Sequence, residues 1–276
     1  MKLMLAPLEG VSDCAFRTLC YQHGADLTFT EMIRVDSLVR KNKATLAMLD
    51  LLNNTPTGIQ LLAVKRDILQ QFAASFSSYN ITSACFNLNL GCPSPDVITQ
   101  GGGVALMKRC QRVNELVGIL RKLGLPISIK MRLGLNAYEK KHKVYLNLIK
   151  TVDADAFIIH ARHARQSSQE PADWSVFEEC IATGKHIIPN GDIHKREHVA
   201  SFKNLGIKEV MIGRAAVVNP SIFNYLKGKD LLSPEQLKEE YACLCKKYPS
   251  HPKYRENVLS YLGKELKFVH SKKWLM

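Results

Sequence analysis

The amino-acid sequence predicts an α/β fold, a (β/α)8 TIM barrel followed by a short all-helical C-terminal domain. Eight short apolar runs alternate with longer amphipathic stretches over about 225 residues, which is the order and size of such a barrel. The runs are nearly continuous, as in a parallel sheet covered on both faces. The pattern then changes after Gly228. An open, doubly wound sheet stays as the alternative, because a sequence does not reveal strand order.

The strand candidates are runs of mainly apolar residues bounded by turn residues. In chain order they are LMLA (3–6), LTFT (27–30), GIQLL (58–62), ACFNLNL (84–90), PISIKMR (126–132), AFIIHA (156–161), HIIPN (186–190) and EVMIG (209–213).

Helices are predicted in the segments between the strands. DILQQFAASFSSY (67–79), RVNELVGILRKLG (112–124) and HKVYLNLIKTVD (142–153) have apolar residues at intervals of three and four. This spacing gathers the apolar side chains on one face of a helix, which can then cover the sheet. Residues 1–228 are therefore predicted to form one barrel domain.

Residues 229–276 form the second predicted domain. The segment 233–249 begins with Ser233, a favoured N-cap residue, and with Pro234 at a first-turn position. A further helix is predicted from about 253 to 270. From residue 231 onward, nine Lys and Arg stand against five Asp and Glu, so this domain is mildly basic.

The whole chain is strongly basic, with 38 Lys plus Arg against 25 Asp plus Glu and a formal net charge of +13. Such an excess makes RNA, DNA or an anionic membrane a reasonable partner, with a basic but inert surface as the alternative. No apolar run approaches the roughly 18 residues of a membrane span. The N-terminus lacks the pattern of a signal peptide, so a cytoplasmic protein without membrane association is expected.

Eight cysteines show neither CxxC spacing nor a Cys/His cluster typical of zinc. We therefore expect reduced thiols and no metal site. Cys92 is unusual among them because it follows a strand-like run and lies between Gly91 and Pro93. Both neighbours break regular structure and belong at a turn. The sequence thus predicts that Cys92 is not a buried packing residue.

Polar and special residues concentrate at the C-terminal ends of the predicted strands, where TIM barrels carry their chemistry. A buried Lys or His without partners is costly. One such residue would more often be a satisfied core group, but all eight strand ends agree. The residues are Pro7 and Glu9 after strand 1, Glu31 after strand 2, Gln60 in strand 3, Asn89 and Cys92 at strand 4, Lys130 and Arg132 at strand 5, His160 and Arg162 at strand 6, Asn190 and Asp192 at strand 7, and Gly213 and Arg214 at strand 8.

Two of these strand ends could hold a phosphate. PNGDIHKRE (189–197) and MIGRAA (211–216) each place a glycine just before a helix, so backbone N–H groups can bind an anion and Arg214 can pair with it. Two ordinary turn glycines are the alternative. The Lys, Gln, Asn and His side chains at the same barrel mouth favour a phosphate-bearing cofactor. GGG (101–103) is a third loop in which the backbone could approach a ligand closely.

A set of motifs runs in order through about 215 residues of the chain. The motifs are LAPLEGVSDCAFR (5–17), TEM (30–32), Gln60, NLGCPS (89–94), GGGVALMK (101–108), IKMRLG (129–134), IHAR (159–162), ADW (172–174), NGDI (190–193) and IGRAA (212–216). NLGCPS followed by a Gly-rich loop, and later by NGDI and IGR, is a specific combination. In order and spacing this set resembles the motifs of the tRNA-dihydrouridine synthases.

The resemblance implies an FMN-containing barrel with a small tRNA-binding helical domain, which uses NADPH to reduce the C5–C6 double bond of specific uridines in tRNA. Lys130 would stabilise negative charge on the reduced isoalloxazine, and Gly191, Gly213 and Arg214 would hold the phosphate. By position, the expected FMN contacts are Pro7, Leu8, Gln60, Lys130, His160, Asn190, Gly191, Asp192, Gly213 and Arg214.

On the substrate side, the resemblance makes Cys92 the general acid that protonates uracil C5 while hydride from FMN N5 reaches C6. A thiol with a pKa of about 8.5 is mostly protonated near neutral pH yet can release its proton. Asn89 is expected to hydrogen-bond the uracil, and Arg162 and Arg255 to contact the substrate. The base must leave the tRNA stack, and a basic surface would supply the phosphate contacts that this requires.

Two other functions stay open. One is a flavin barrel acting on a small pyrimidine, such as a dihydroorotate or dihydropyrimidine dehydrogenase, against which the charge of +13 argues. The other is an RNA-binding barrel without catalysis, against which Cys92, Lys130 and His160 argue. The family leads us to expect a monomer.

Overall fold

A computed structural model of the chain describes residues 1–49, 51, 54–248 and 251–266. Eight parallel strands form one sheet in the order β1-β8-β7-β6-β5-β4-β3-β2. Each strand lies where an apolar run predicted one. The strands are β1 (Lys2–Leu5), β2 (Thr28–Arg34), β3 (Thr57–Leu62), β4 (Cys85–Leu90), β5 (Ile127–Met131), β6 (Ala156–His160), β7 (Ile187–Asn190) and β8 (Glu209–Ile212).

The sheet closes where β1 meets the start of β2. Met4 forms a parallel bridge with Leu27. The Leu5 N–H donates to the Leu27 carbonyl at 2.9 Å, and the Asp26 N–H donates to the Leu3 carbonyl at 2.8 Å. A closed barrel has no open edge strands. The (β/α)8 prediction is therefore confirmed over the open-sheet alternative.

Helices follow the strands and cover the barrel with their apolar faces. The predicted helices at 67–79, 112–124 and 142–153 correspond to α4 with a following 3-10 turn, to α6 and to α8. The α-helices are α1 (Cys14–Gln22), α2 (Val35–Val39), α3 (Lys43–Ala47), α4 (Arg66–Ser75), α5 (Pro95–Thr99), α6 (Cys110–Arg121), α7 (Ala137–Lys141), α8 (Val144–Thr151), α9 (Val176–Ile181), α10 (Arg196–Asn204), α11 (Arg214–Val218), α12 (Ile222–Leu226), α13 (Pro234–Lys247) and α14 (Pro252–Tyr261), with 3-10 helices over Phe76–Tyr79 and Gly103–Lys108.

Strand β2 is longer than predicted, and Glu31 lies within it rather than after it. The pairing of β2 with β3 shifts register between Phe29 and Met32. At this bulge the Gln60 N–H donates to Thr30 Oγ1 at 3.0 Å. A bulge bends the strand and changes the direction of side chains locally.

The last helix ends earlier than predicted. α14 ends at Tyr261, and Gly263 then adopts φ +81°, the left-handed conformation that commonly ends a helix. A Cβ on Gly263 would lie 2.9 Å from Pro234 Cβ, so this turn needs glycine for space as well. Residues 267–270 of the predicted helix lie outside the described residues.

The C-terminal helices share the barrel's core. α13 packs against α1 and begins with a capping box between Ser233 and Gln236. Tyr241, Leu244 and Val258 belong to the same buried cluster as the strands, so both helices are fixed relative to the barrel. Within the described ranges, none of the helices combines the length and the apolar character that a membrane span requires.

Candidate active site

A cleft opens at the C-terminal ends of the strands, the face where TIM barrels carry their active sites. Counted out to its open mouth, the cleft encloses about 980 Å³. Twelve of the fourteen residues predicted for the site line it. They are Pro7, Leu8, Gln60, Asn89, Cys92, Lys130, His160, Asn190, Gly191, Asp192, Gly213 and Arg214.

A chain of side-chain amides fixes the end of β4. Asn89 Oδ1 accepts hydrogen bonds from the backbone N–H groups of Cys92 at 2.9 Å and Gly91 at 3.1 Å. Its Nδ2 donates to Gln60 Oε1 at 3.0 Å, and Gln60 Nε2 donates to Asn87 Oδ1 at 2.6 Å. Asn89 therefore holds the turn that carries Cys92.

Cys92 lines the cleft and is also buried, with 2% of its surface exposed. It packs against Leu62 and Val97, so the prediction that it is not a buried packing residue is wrong. A turn at Gly91 and Pro93 does not prevent burial, because neighbouring loops cover it. Burial raises the pKa of the Cys92 thiol, and the Ser94 backbone N–H offsets part of that rise. The thiol is therefore protonated at neutral pH.

The GGG loop is one of the segments that cover Cys92. Gly103 has φ +53°, and a Cβ there would lie 2.5 Å from the Cys92 carbonyl oxygen. The Val104 N–H donates to that same oxygen at 3.2 Å. GGG was expected as a loop whose backbone could approach a ligand, whereas the close approach that the structure shows is to the Cys92 turn.

Positive charge exceeds negative charge in the cleft. Asp192 pairs with Arg214 at 2.7 Å and with Arg162, while Lys130 has no carboxylate partner among the described residues. Burial and the nearby Arg132 lower the pKa of Lys130 to about 7. Burial and Arg162 lower the pKa of Arg132 to about 10, so Arg132 remains charged at neutral pH. An unpaired buried cation is costly, and this set suits an anionic ligand.

His160 is neutral in this surrounding. Burial and the charges of Arg132 and Lys130 lower its pKa well below the usual value. Arg162 Nη1 lies 3.2 Å from His160 Nε2, so this nitrogen can accept a hydrogen bond from the guanidinium. A neutral imidazole then has its other nitrogen protonated and able to donate.

The loop after β7 owes its shape to two left-handed residues, Gly191 at φ +115° and Asp192 at φ +58°. A Cβ on Gly191 would lie 3.0 Å from His160 Cδ2, so only glycine lets the imidazole approach this closely. Trp174 Nε1 donates to the Gly191 carbonyl at 3.1 Å, and Asn190 Nδ2 donates to the Met211 carbonyl at 2.9 Å. These bonds hold Asp192 facing the arginines.

Two predicted site residues lie outside the cleft lining. Arg162 is buried behind the wall with 2% exposure, and its Nε donates to the Glu170 carbonyl at 2.8 Å. Its guanidinium holds the loop after β6 and Asp192, which does not fit a direct contact with substrate. Arg255 lies on the exposed side of α14, beyond the cleft.

Several lining residues were absent from the predicted contacts. His194 follows NGDI directly, and its Nδ1 lies 2.7 Å from the Asp192 carbonyl; its position in the motif could have indicated it. The Ser168 carbonyl accepts from Arg214 Nη1 at 3.1 Å. Leu266 reaches the cleft from the chain's C-terminal segment, and no local pattern signals such a long-range contact.

A closed (β/α)8 barrel with a cationic cleft, a neutral histidine and a protonated thiol at its strand ends has the features of a cofactor-binding barrel enzyme. Residues 4–266 match the family model described as dihydrouridine synthase. The chain belongs to the dihydrouridine synthase family.

Among curated relatives, a tRNA-dihydrouridine(47) synthase NAD(P)(+)-like protein of Rattus norvegicus is 29% identical over 246 residues, which cover 86% of this chain and 38% of the relative. The tRNA-dihydrouridine synthase B of Xanthomonas campestris pv. campestris is 28% identical over 246 residues, covering 86% and 73%. The chain thus spans little more than a third of the length of the first relative.

Solved structures share the fold. Morphinone reductase superposes with a TM-score of 0.60 at 11% identity, over 87% of this chain and 88% of that one. Morphinone reductase in complex with tetrahydroNAD gives a TM-score of 0.59 at 12% identity, over 90% and 93%.

Proposed function

We propose that this chain is a tRNA-dihydrouridine synthase, which reduces the C5–C6 double bond of specific uridines in tRNA with FMN as cofactor and NADPH as reductant. The observation that carries the proposal is the joint presence, in the cleft of a dihydrouridine synthase family member, of the protonated Cys92 thiol and of Lys130, whose pKa is lowered to about 7 and which has no carboxylate partner among the described residues.

The cleft residues fit FMN by their chemistry. Lys130 and Arg132 supply positive charge for an anionic ring system, and Arg214 supplies a guanidinium for a phosphate. Gln60 and the neutral His160 supply hydrogen bonds for ring heteroatoms. Pro7, Leu8, Asn190, Gly191, Asp192 and Gly213 complete the proposed contacts. When bound, FMN would supply the hydride for uracil C6.

The protein's own part in the reaction is to position the base and deliver a proton. Cys92 Sγ holds the proton that goes to uracil C5, and burial keeps that proton in place until negative charge develops on the base. Asn89 orients the Cys92 turn through two backbone N–H groups. Asn89 Oδ1 already accepts from the backbone and its Nδ2 already donates to Gln60. A hydrogen bond from Asn89 to the uracil would therefore use the second hydrogen of Nδ2.

Transfer RNA is the proposed substrate, and residues 229–276 the proposed tRNA-binding domain. The net charge of +13 suits a polyanion, and α14 carries the exposed Arg255. Arg162 would act on substrate through Asp192 and the loop after β6. A monomeric, cytoplasmic protein without membrane association completes the proposal, which light scattering and cell fractionation would test.

The decisive experiment uses the purified chain, a flavin assay and unmodified tRNA. We expect bound FMN and, after incubation with NADPH and tRNA, dihydrouridine in a nucleoside digest. Turnover of free dihydroorotate without dihydrouridine in the tRNA would instead favour the small-pyrimidine dehydrogenase. Tight tRNA binding by a protein that cannot be loaded with FMN would favour the non-catalytic barrel.

A further inference from the structure

A second groove lies beside the cleft, on the same face of the barrel. It begins where β2 and β3 end, at Arg34 and Leu62, and continues along α2 and the first turn of α4. Counted out to its open mouth, the groove encloses about 1,320 Å³. None of the cofactor contacts proposed above lies in it, so it is distinct from the proposed cofactor site.

A single layer of side chains separates this groove from Cys92. Leu62 lines the groove and is itself packed against Cys92 and Val97. Arg34 Nη2 donates to Gln100 Oε1 at 2.7 Å, and Gln100 caps the helix that follows the Cys92 turn. A ligand in the groove would therefore lie next to the base that Cys92 protonates.

The lining has a basic rim and an apolar floor. Arg34, Arg40 and Lys65 are its cations, and Asp36 is the carboxylate among its lining residues. Asp36 pairs with Arg40 at 2.5 Å and with Arg34 at 3.5 Å. Lys65 is exposed and has no ion-pair partner in the described part of the chain. The rim thus keeps a net positive charge after its internal pairing.

The floor between these cations is built from aliphatic side chains. Val39, Val64 and Ile68 line it. A positively charged groove that follows the phosphate backbone is how proteins bind single-stranded nucleic acid. In this groove the aliphatic side chains, rather than aromatic rings, offer the apolar contact to bases or sugars. An acidic peptide would pair with the cations of the rim, but it would not explain why the groove lies next to Cys92.

We propose that this groove, formed by the segments after β2 and β3, binds the RNA nucleotides that flank the target uridine. The inference rests on the proposed function. Extrusion of a base costs stacking energy and requires a grip on its neighbours. Lys65 and Arg40 pair with flanking phosphates, and the aliphatic floor covers an unstacked neighbouring nucleotide.

The test is equilibrium binding of unmodified tRNA to the FMN-loaded chain without NADPH. We expect Lys65→Glu to bind about 5- to 10-fold more weakly and to lower the slope of log K against log salt by about 1. Lys65→Arg should bind like the wild type. The flavin spectrum and the rate of flavin reduction by NADPH should not change, because Lys65 lies outside the cofactor cleft.

Lys122→Glu is the matched control, since Lys122 is an exposed lysine that follows α6 on the opposite face of the barrel. If Lys65→Glu and Lys122→Glu bind tRNA with equal affinity while the wild type forms dihydrouridine, the proposal that the groove binds RNA is wrong and the proposed function is unaffected. A wild type that forms no dihydrouridine would instead overturn the proposed function.

A second measurement does not depend on substitution. Transfer RNA can carry 4-thiouridine one or two nucleotides from the target uridine. When its complex with the protein is irradiated, this base should crosslink to the peptide that contains residues 62–68. Crosslinks confined to peptides distant from the segments after β2 and β3 would contradict the proposal.

Discussion

Burial gives the Cys92 thiol the properties of a proton donor. Its pKa is raised above that of an ordinary thiol by burial, so the acid form dominates at neutral pH and is lost only as the pH rises through that raised value. We expect Cys92→Ala to bind FMN and tRNA normally and to form dihydrouridine at least about 100-fold more slowly, since general acid catalysis is typically worth that much. Rapid quenching and nucleoside digestion would measure the rate.

The pH profile of turnover is a check on the same residue. In the wild type, the fall in rate that arises from Cys92 should lie above pH 9, because the active form is the protonated one. A rate that falls as the pH is lowered from 8 to 6, with this fall absent in Cys92→Ser, would instead show the thiolate as the working form. Full activity of Cys92→Ala would remove the thiol from the mechanism.

Burial of Lys130 lowers the stability of the cofactor-free protein, while its charge is expected to strengthen FMN binding. Its folded pKa is lowered to about 7 from 10.5. The unfolded chain therefore binds more protons between these values, and the stability of the cofactor-free protein rises with pH across that window. We expect Lys130→Met to unfold at a higher temperature than wild type at pH 6, with a difference that shrinks toward pH 10. The same variant should bind FMN more weakly.

Scanning calorimetry of the cofactor-free proteins at both pH values measures the first effect, and flavin titration measures the second. Lys122→Met is the control, because the Lys122 side chain is exposed and pays no burial cost. An equal change in unfolding temperature for both variants would mean that burial of charge at Lys130 is not the cause.

At the scale of elements, the GGG loop and the Cys92 turn behave as one unit. We expect Gly103→Ala to destabilise the fold by about 1–3 kcal/mol, because the added Cβ would lie 2.5 Å from the Cys92 carbonyl oxygen at a φ of +53°. Turnover should fall along with stability while FMN still binds. Urea denaturation and the dihydrouridine assay measure the two effects.

Gly118→Ala provides the matched control on a neighbouring element. Gly118 lies within α6, and a Cβ there would meet nothing within 4 Å. Alanine is the better helix former by up to about 1 kcal/mol, so this variant should be slightly more stable and fully active. A similar loss in both glycine variants would rule out the close approach to Cys92 as the reason.

The elements were predictable to the extent that local pattern determines them. All eight strands follow apolar runs, because a buried parallel strand needs apolar residues on both faces. The length of β2 was missed, since Glu31 interrupts the apolar pattern, and its carboxylate is accommodated by hydrogen bonds from Tyr254 and the Gly10 N–H. The burial of Cys92 was missed for a related reason: the loop that covers it begins at Gly101, outside the turn itself.

At the scale of the whole molecule, the contacts that fix the site's surroundings join distant parts of the chain. Asn257 Nδ2 donates to the Gly10 carbonyl at 2.9 Å across 247 residues, and Tyr254 donates to Glu31 across 223 residues. No local pattern reveals such pairs. The resemblance identified the residues of the cleft, but the burial of Arg162 required the three-dimensional arrangement.

The contact between Tyr254 and Glu31 links the stability of the whole molecule to pH. Burial raises the pKa of Glu31, and hydrogen bonds from Tyr254 and the Gly10 N–H oppose that rise. When the pKa of a carboxyl is raised in the folded state, the free energy of unfolding falls as the pH rises through that pKa. The hydrogen bond from Tyr254 limits this fall. We expect Tyr254→Phe to destabilise by about 2 kcal/mol at pH 8 and by less at pH 5, where Glu31 holds its proton more often. Urea denaturation at both pH values measures the difference.

Tyr138→Phe is the control, because this side chain is 68% exposed, and it should leave the free energy of unfolding unchanged at both pH values. A loss in Tyr254→Phe that does not depend on pH would show that Tyr254 supports the packing of α14 rather than the Glu31 carboxylate.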